Sequence, residues 1–152
     1  MHPAEKIAIA LLIEARADLK AARLCLEGGV YSRSVSHSQH VAEKTLKAAL
    51  AMRGIIITRK HIVSDEFARA YGDMPGREEV VQAAESLEDE GTRTEYAFFG
   101  RGDLPIWIPS EEYDLEDAEV ALAQAQKVFT LVSSFLKRHY GVGDEYINCA
   151  SA

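Results

Sequence analysis

The chain has 152 residues, 47% of them hydrophobic, which suffices for the core of one domain, and its formal charge of −7 with a pI near 5.2 sets it apart from a basic protein. The opening MHPAEK is polar and the first apolar run, Ile7 to Ile13, is too short to span a bilayer, so no targeting or membrane segment is expected and the chain reads as cytoplasmic. Cys25 and Cys149 lie far apart with neither zinc-ligand nor CxxC spacing, which argues against a disulfide framework or a structural metal, and no cofactor is expected.

The first helix is expected from Ala4 to Glu27. Ile7, Leu11, Ala15, Leu19, Ala22 and Leu26 recur at three- and four-residue steps and define one apolar stripe. Gly28 and Gly29 stop it and form a tight corner, which forces the next helix to run antiparallel beside the first.

That second helix, Tyr31 to Arg53, carries the sharpest local chemistry. Arg33, His37, His40, Lys44 and Lys47 follow at i, i+4, i+7, i+11 and i+14 and share one stripe, with Val35, Ala42, Leu46 and Ala49 opposite. From Gly28 to His61 the acid Glu43 faces Arg33, Lys44, Lys47, Arg53, Arg59 and Lys60, so this segment is +5 and the remainder −12. Charge separated in this way can orient an anion or an acidic partner. The alternative is a solvated face, which is the commoner fate of a charged helix stripe.

Ile55, Ile56, Ile57 and Thr58 could pass for a strand, but no second strand is available to pair with it, so it is read as an apolar connector over the bundle end. Ser64 before DEFARAY predicts a short capped helix, Gly72 to Gly76 a break, and Arg77 to Glu90 a helix burying Val80, Val81, Ala84 and Leu87. Gly91 to Tyr113 lacks helical period and holds Arg93, Tyr96, Phe98, Phe99, Arg101 and Trp107. Arginines among aromatic rings suit a base and a phosphate, although Phe98, Phe99, Ile106 and Trp107 are expected to be core. In the last helix Leu115, Ala118, Leu122, Ala125, Phe129, Val132 and Leu136 form a heptad-like seam between an Asp114 cap and Gly141. Ala118 and Ala125 admit a closely packed helix from this chain or a second one. The expected architecture is all-α, an up-and-down antiparallel bundle of four to five helices over residues 1–140, with a long loop before the last helix and a tail at 141–152.

No GxxxxGK[ST], HExxH, GxSxG or strand-to-helix GxGxxG is present. His61 stands alone in a connector and is read as a hydrogen-bonded histidine rather than a metal ligand.

GGVYSRSVSHSQHVAEKTLKAALAMRG resembles the second helix of HEPN domains, the higher-eukaryote and prokaryote nucleotide-binding family, in Gly29, Tyr31, Gln39, Glu43, Lys44, Leu46, Lys47 and Ala48. His61, and Arg93 with Tyr96, stand where the family has a histidine opening the next helix and an Arg-Tyr pair before the last. The resemblance covers roughly residues 4 to 139. It implies a helical bundle, commonly a homodimer, often working beside a minimal nucleotidyltransferase. Some members bind nucleotides and others are metal-independent ribonuclease toxins with an Arg and a following His separated by four to six intervening residues.

Arg33 and His40 are the pair with that spacing, although they lie in the second helix and not in the later half of the domain. His40 could accept a proton from a ribose 2′-hydroxyl while Arg33 holds the phosphate, but the helix rise sets them about 10 Å apart along the axis. Three functions follow: a binding module in which Lys44, Lys47, Arg93 and Tyr96 contact a nucleotide or a partner's phosphate-bearing site, a ribonuclease using Arg33 and His40, and a dimerisation bundle without ligand. The first is favoured.

Overall fold

The computed structural model describes residues 1–98 and 105–148. Four long helices form the bundle: α1 (Pro3–Glu27), α2 (Tyr31–Met52), α4 (Arg77–Glu88) and α6 (Leu115–Tyr140), with α3 (Ser64–Ala70), α5 (Pro109–Glu112) and α7 (Asp144–Ile147) as short additions and a 3-10 turn at Gly91–Thr94. The all-α bundle is as expected, with these short helices beyond the four or five anticipated. None of the described helices is long and apolar enough to cross a membrane.

The corner between α1 and α2 forms because Gly29 adopts a positive φ of 75°, while the Val30 N–H returns to the Cys25 carbonyl at 2.8 Å. α2 then packs most extensively on α1, and next on α6. Its small side chains allow this. Ser32, Ser34, Ser36, Ser38, Ala42, Ala48 and Ala49 are all buried, and the Ser34 hydroxyl donates to the Ala22 carbonyl of α1 at 2.8 Å. The α1 contact uses Ala8, Leu12, Ala15, Leu19 and Ala22, whereas Ile7 is exposed and Leu11 only half-buried, so the apolar stripe begins one position later than the spacing of larger residues suggested. Alanines at this seam let the two backbones approach.

The α6 seam is buried from Ala118 onward, with Leu115 exposed at the helix entrance and Leu122 half-buried. Ala118 and Ala125 are fully buried within the chain, so their small side chains serve its own packing. Asp114 caps α6 by accepting from the Asp117 N–H at 2.9 Å, and Asp117 accepts in return from the Asp114 N–H at 3.0 Å. Beyond Gly141 the chain turns back onto α1, where Arg16 donates to the Glu145 and Asn148 carbonyls at 2.6 and 3.2 Å.

Several local expectations need correction. Ser64 is the first residue of α3 and not its cap. Glu88 of α4 supplies the cap by accepting from the Val63 and Ser64 N–H groups, both at 3.2 Å, and from the Ser64 hydroxyl at 2.7 Å. Of the isoleucine connector only Ile57 packs on the core; Ile55 and Ile56 are exposed. Phe98 and Ile106 are exposed as well, because a single backbone pairing of Phe98 with Trp107 holds them away from the bundle, and Trp107 alone is half-buried against Tyr113. Cys25 is half-buried; Phe99, Arg101 and Cys149 lie outside the described residues. At the other end of α2, Arg53 lies over the Tyr71 ring at 3.8 Å and donates to Tyr140 and to Asp73, whose carboxyl it holds below the usual carboxylate range.

Glu88→Ala would strip three donors of their acceptor and should cost about 2 kcal/mol, a fall in melting temperature of roughly 5 °C for a chain of this size. Burial outweighs the hydrogen bonds and holds the Glu88 carboxyl above its ordinary range. The stability it adds is therefore fully present below the unfolded value of about 4.3 and is lost as pH rises through the higher folded value. Denaturant titrations from about pH 4 to about pH 7 should accordingly shift the difference between Glu88→Gln and wild type in favour of the variant; an unchanged difference would contradict the assignment.

Candidate functional site

α2 positions Arg33, His37, His40, Lys44 and Lys47 along the side of the helix that faces α1 and the segment 91–96. Four of the five groups on the stripe face carboxylates, and Arg33 bonds a backbone carbonyl. Asp18 of α1 takes His37 Nδ1 on Oδ1 at 3.1 Å and Lys44 Nζ on Oδ2 at 2.6 Å. Glu43 takes Lys47 Nζ on Oε2 at 3.3 Å and His61 Nδ1 on Oε1 at 2.9 Å. Glu95 accepts from the Ser36 hydroxyl at 2.6 Å and pairs with His40 Nε2 at 3.2 Å. Lys47 is only 7% exposed, so its ammonium group is part of the interior rather than a solvated face.

The segment 91–96 is clamped to α2 chiefly by Gln39. The Gln39 amide donates to the Leu87 and Gly91 carbonyls at 2.9 and 3.1 Å and accepts from the buried Thr94 hydroxyl at 3.0 Å. Arg33 donates to the Thr94 carbonyl at 2.9 Å. Arg33 and His40 are thus tied to consecutive residues, Thr94 and Glu95, despite their separation along α2.

Between this segment and α2 lies a cleft of about 470 Å³ whose walls include Gln39, His40, Glu43, His61, Glu95 and Tyr96. Tyr96 is 63% exposed and offers a ring at its rim. A second cavity, of about 280 Å³, lies on the other side of Glu43 and receives Lys44 and Lys47 among Ile7, Leu11, Ile56 and Thr58. Arg93 lines neither; its guanidinium lies 4.4 Å from the centre of the Trp107 ring, while the Trp107 indole donates to the Arg93 carbonyl at 2.7 Å. The four residues expected to bind a nucleotide are therefore distributed over two cavities and the adjoining loop. Asp18 and Glu95 escaped the sequence reading, since acids on a separate helix and in an irregular segment carry no spacing that points to α2.

A helical bundle with an inter-helix cleft closed by a strapped-down loop is the class that this geometry defines. The family model for the HEPN domain matches residues 8–137, and the chain belongs to that family. It is 35% identical over 146 residues to MJ1304 of Methanocaldococcus jannaschii, a candidate toxin by name, covering 90% of this chain and 93% of the relative. Among solved structures it is similar to TT1696 from Thermus thermophilus, with a TM-score of 0.70 and 29% identity over 84% of this chain and 96% of that one. It is also similar to ST0689, an archaeal HEPN homologue, with a TM-score of 0.63 and 25% identity over 90% of this chain and all of that one.

Replacing Gln39 with Leu removes an acceptor for Thr94 and two donors to backbone carbonyls, and should cost about 2 kcal/mol. Amide hydrogen exchange should then accelerate in residues 91–96 before it does so in α1 or α6; uniform acceleration would mean that Gln39 is not the clamp.

Proposed function

We propose that the protein is a HEPN-type binding module of a toxin-like system, acting as a homodimer with a minimal nucleotidyltransferase as its partner. The cleft of about 470 Å³ carries this reading, because its volume suits one small ligand and its polar groups converge from two elements. The exposed Tyr96 ring provides a surface for a nucleobase, with the Gln39 and His40 side chains deeper in the same cleft. Lys44 and Lys47 line the second cavity past the shared Glu43 wall and would supply positive charge for the phosphates from there, and Arg93 flanks the rim. Tyr96, Phe98, Ile106 and Ile108 expose apolar surface around the same loop, which favours a protein contact there. The name of MJ1304 supports the toxin-like role.

A second reading is favoured by one observation. Arg33 and His40 are anchored on adjacent residues, and Glu95 holds His40 as a carboxylate orients a general base. In that reading His40 withdraws the ribose 2′-hydroxyl proton and Arg33 stabilises the phosphate.

Isothermal titration with ATP, GTP and a short single-stranded RNA, in the presence of a chelator, separates the two. Saturable nucleotide binding that weakens about tenfold, or about 1.4 kcal/mol, in Tyr96→Ala and in Lys44→Ala would support the binding module. RNA cleaved under chelation and left intact by His40→Ala would replace it with the ribonuclease. Absence of both heat and cleavage would remove the nucleotide and leave the protein partner, sought by co-purification.

A further inference from the structure

We propose that Asp18, His37 and His40 form a binding site for a divalent transition metal of the zinc type. One ligand atom from each residue lies within 4.8 Å of the others, and all three side chains are partly buried. Two imidazoles and one carboxylate suit zinc, nickel, cobalt or ferrous iron better than magnesium or calcium, which prefer an all-oxygen shell.

The scaffold is rigid where the ligands arise. His37 and His40 stand one turn apart on α2, with ring centroids 6.2 Å apart, and Asp18 comes from α1 across the most extensive helix contact in the protein. Asp18 Oδ1 and His37 Nδ1 are 3.1 Å apart. Two neighbouring ligands bound about 2.1 Å from one ion are separated by about 3.0 to 3.4 Å, so this pair already has the required spacing. Separations of up to 4.8 Å have to close by about 1.5 Å to reach it, which rotation of the half-exposed His40 ring supplies.

The surroundings prepare the ligands. Glu95, fixed by the Ser36 hydroxyl at 2.6 Å, lies 3.2 Å from His40 Nε2, so its carboxylate faces one ring nitrogen and the other is left for an ion. Lys44 occupies Asp18 Oδ2 and leaves Oδ1 for the site. The Lys44 ammonium group opposes a second cation close by, so it lowers affinity while it orients the carboxylate. Three protein ligands leave at least one position open to water or substrate. An ion here also engages the His40 ring whose basicity the ribonuclease reading requires, so metal loading would suppress that chemistry. The proposal is independent of the binding-module reading, since its measurement detects the metal directly.

The test is titration of the tag-free full chain with Zn²⁺, and with Co²⁺ for its visible absorption. One equivalent should bind, raise the melting temperature and resist competition by Mg²⁺. His37→Ala and Asp18→Asn should each weaken binding at least ~100-fold, and Glu95→Gln, which removes a carboxylate behind a ligand, about tenfold. Lys44→Gln should tighten binding, a gain that unfolding cannot produce, whereas His139→Ala should leave it unchanged. No saturable binding up to millimolar Zn²⁺ by the folded chain would overturn the site. So would binding that survives Asp18→Asn combined with His37→Ala.

Discussion

The close packing of α1 on α2 is the constraint from which the rest of the molecule follows. Alanines and serines at the seam bring the two backbones together, and α4 and α6 cover the other sides of α2. A helix surrounded in this way draws part of its charged stripe out of water: Arg33 stays exposed, but His37, His40 and Lys44 are half-buried and Lys47 is buried. Each ammonium or imidazole on it therefore needs an acceptor near at hand, since a buried charge without one is far more costly than the pair. Asp18, Glu43 and Glu95 meet that requirement from α1, from α2 itself and from the segment after α4.

The residues that carry the family resemblance acquire structural roles in this light. Gln39 straps the segment 91–94 to the bundle, Glu43 joins Lys47 to His61, Lys44 reaches across to Asp18, and Leu46 lies in the core. Each of these side chains holds one neighbouring element in place. The motif thus specifies how the helices and the loop fit together, and the cleft arises where the loop is strapped down. The cleft walls and the packing of the fold share residues here, so a substitution at Gln39 or Glu43 acts on both.

Much of the fold was legible because its signals are local. Gly28 with Gly29, the Asp114 cap and the three-and-four spacing of Ala118 to Leu136 each mark a boundary or a buried face without reference to the rest of the chain. The site was legible only in half. The spacing placed Arg33, His37, His40, Lys44 and Lys47 on one stripe, but said nothing of the acids opposite. Asp18 precedes His37 by 19 residues and meets it only because α1 folds back along α2. Glu95 lies in a stretch without period, so no spacing relates it to His40. The exposure of Phe98 and Ile106 was hidden for a related reason, since hydrophobicity alone cannot distinguish a core residue from one held outward by a backbone pairing.

Arg33 and His40 meet the same segment of the loop. Along an isolated helix they are two turns apart, too distant to act on one phosphate. The loop gives both a foothold on neighbouring residues, the Thr94 carbonyl for Arg33 and the Glu95 carboxylate for His40, without changing their separation along α2. Glu95 becomes the deciding group, because its one carboxylate is held by Ser36 and faces the histidine that each chemical reading invokes. In the ribonuclease reading its carboxylate would orient His40 to take a proton, and in the metal-site reading it would raise the basicity of the same ring. The chemistry available to α2 is therefore set from outside the helix, by a carboxylate that the Gln39 clamp keeps within reach.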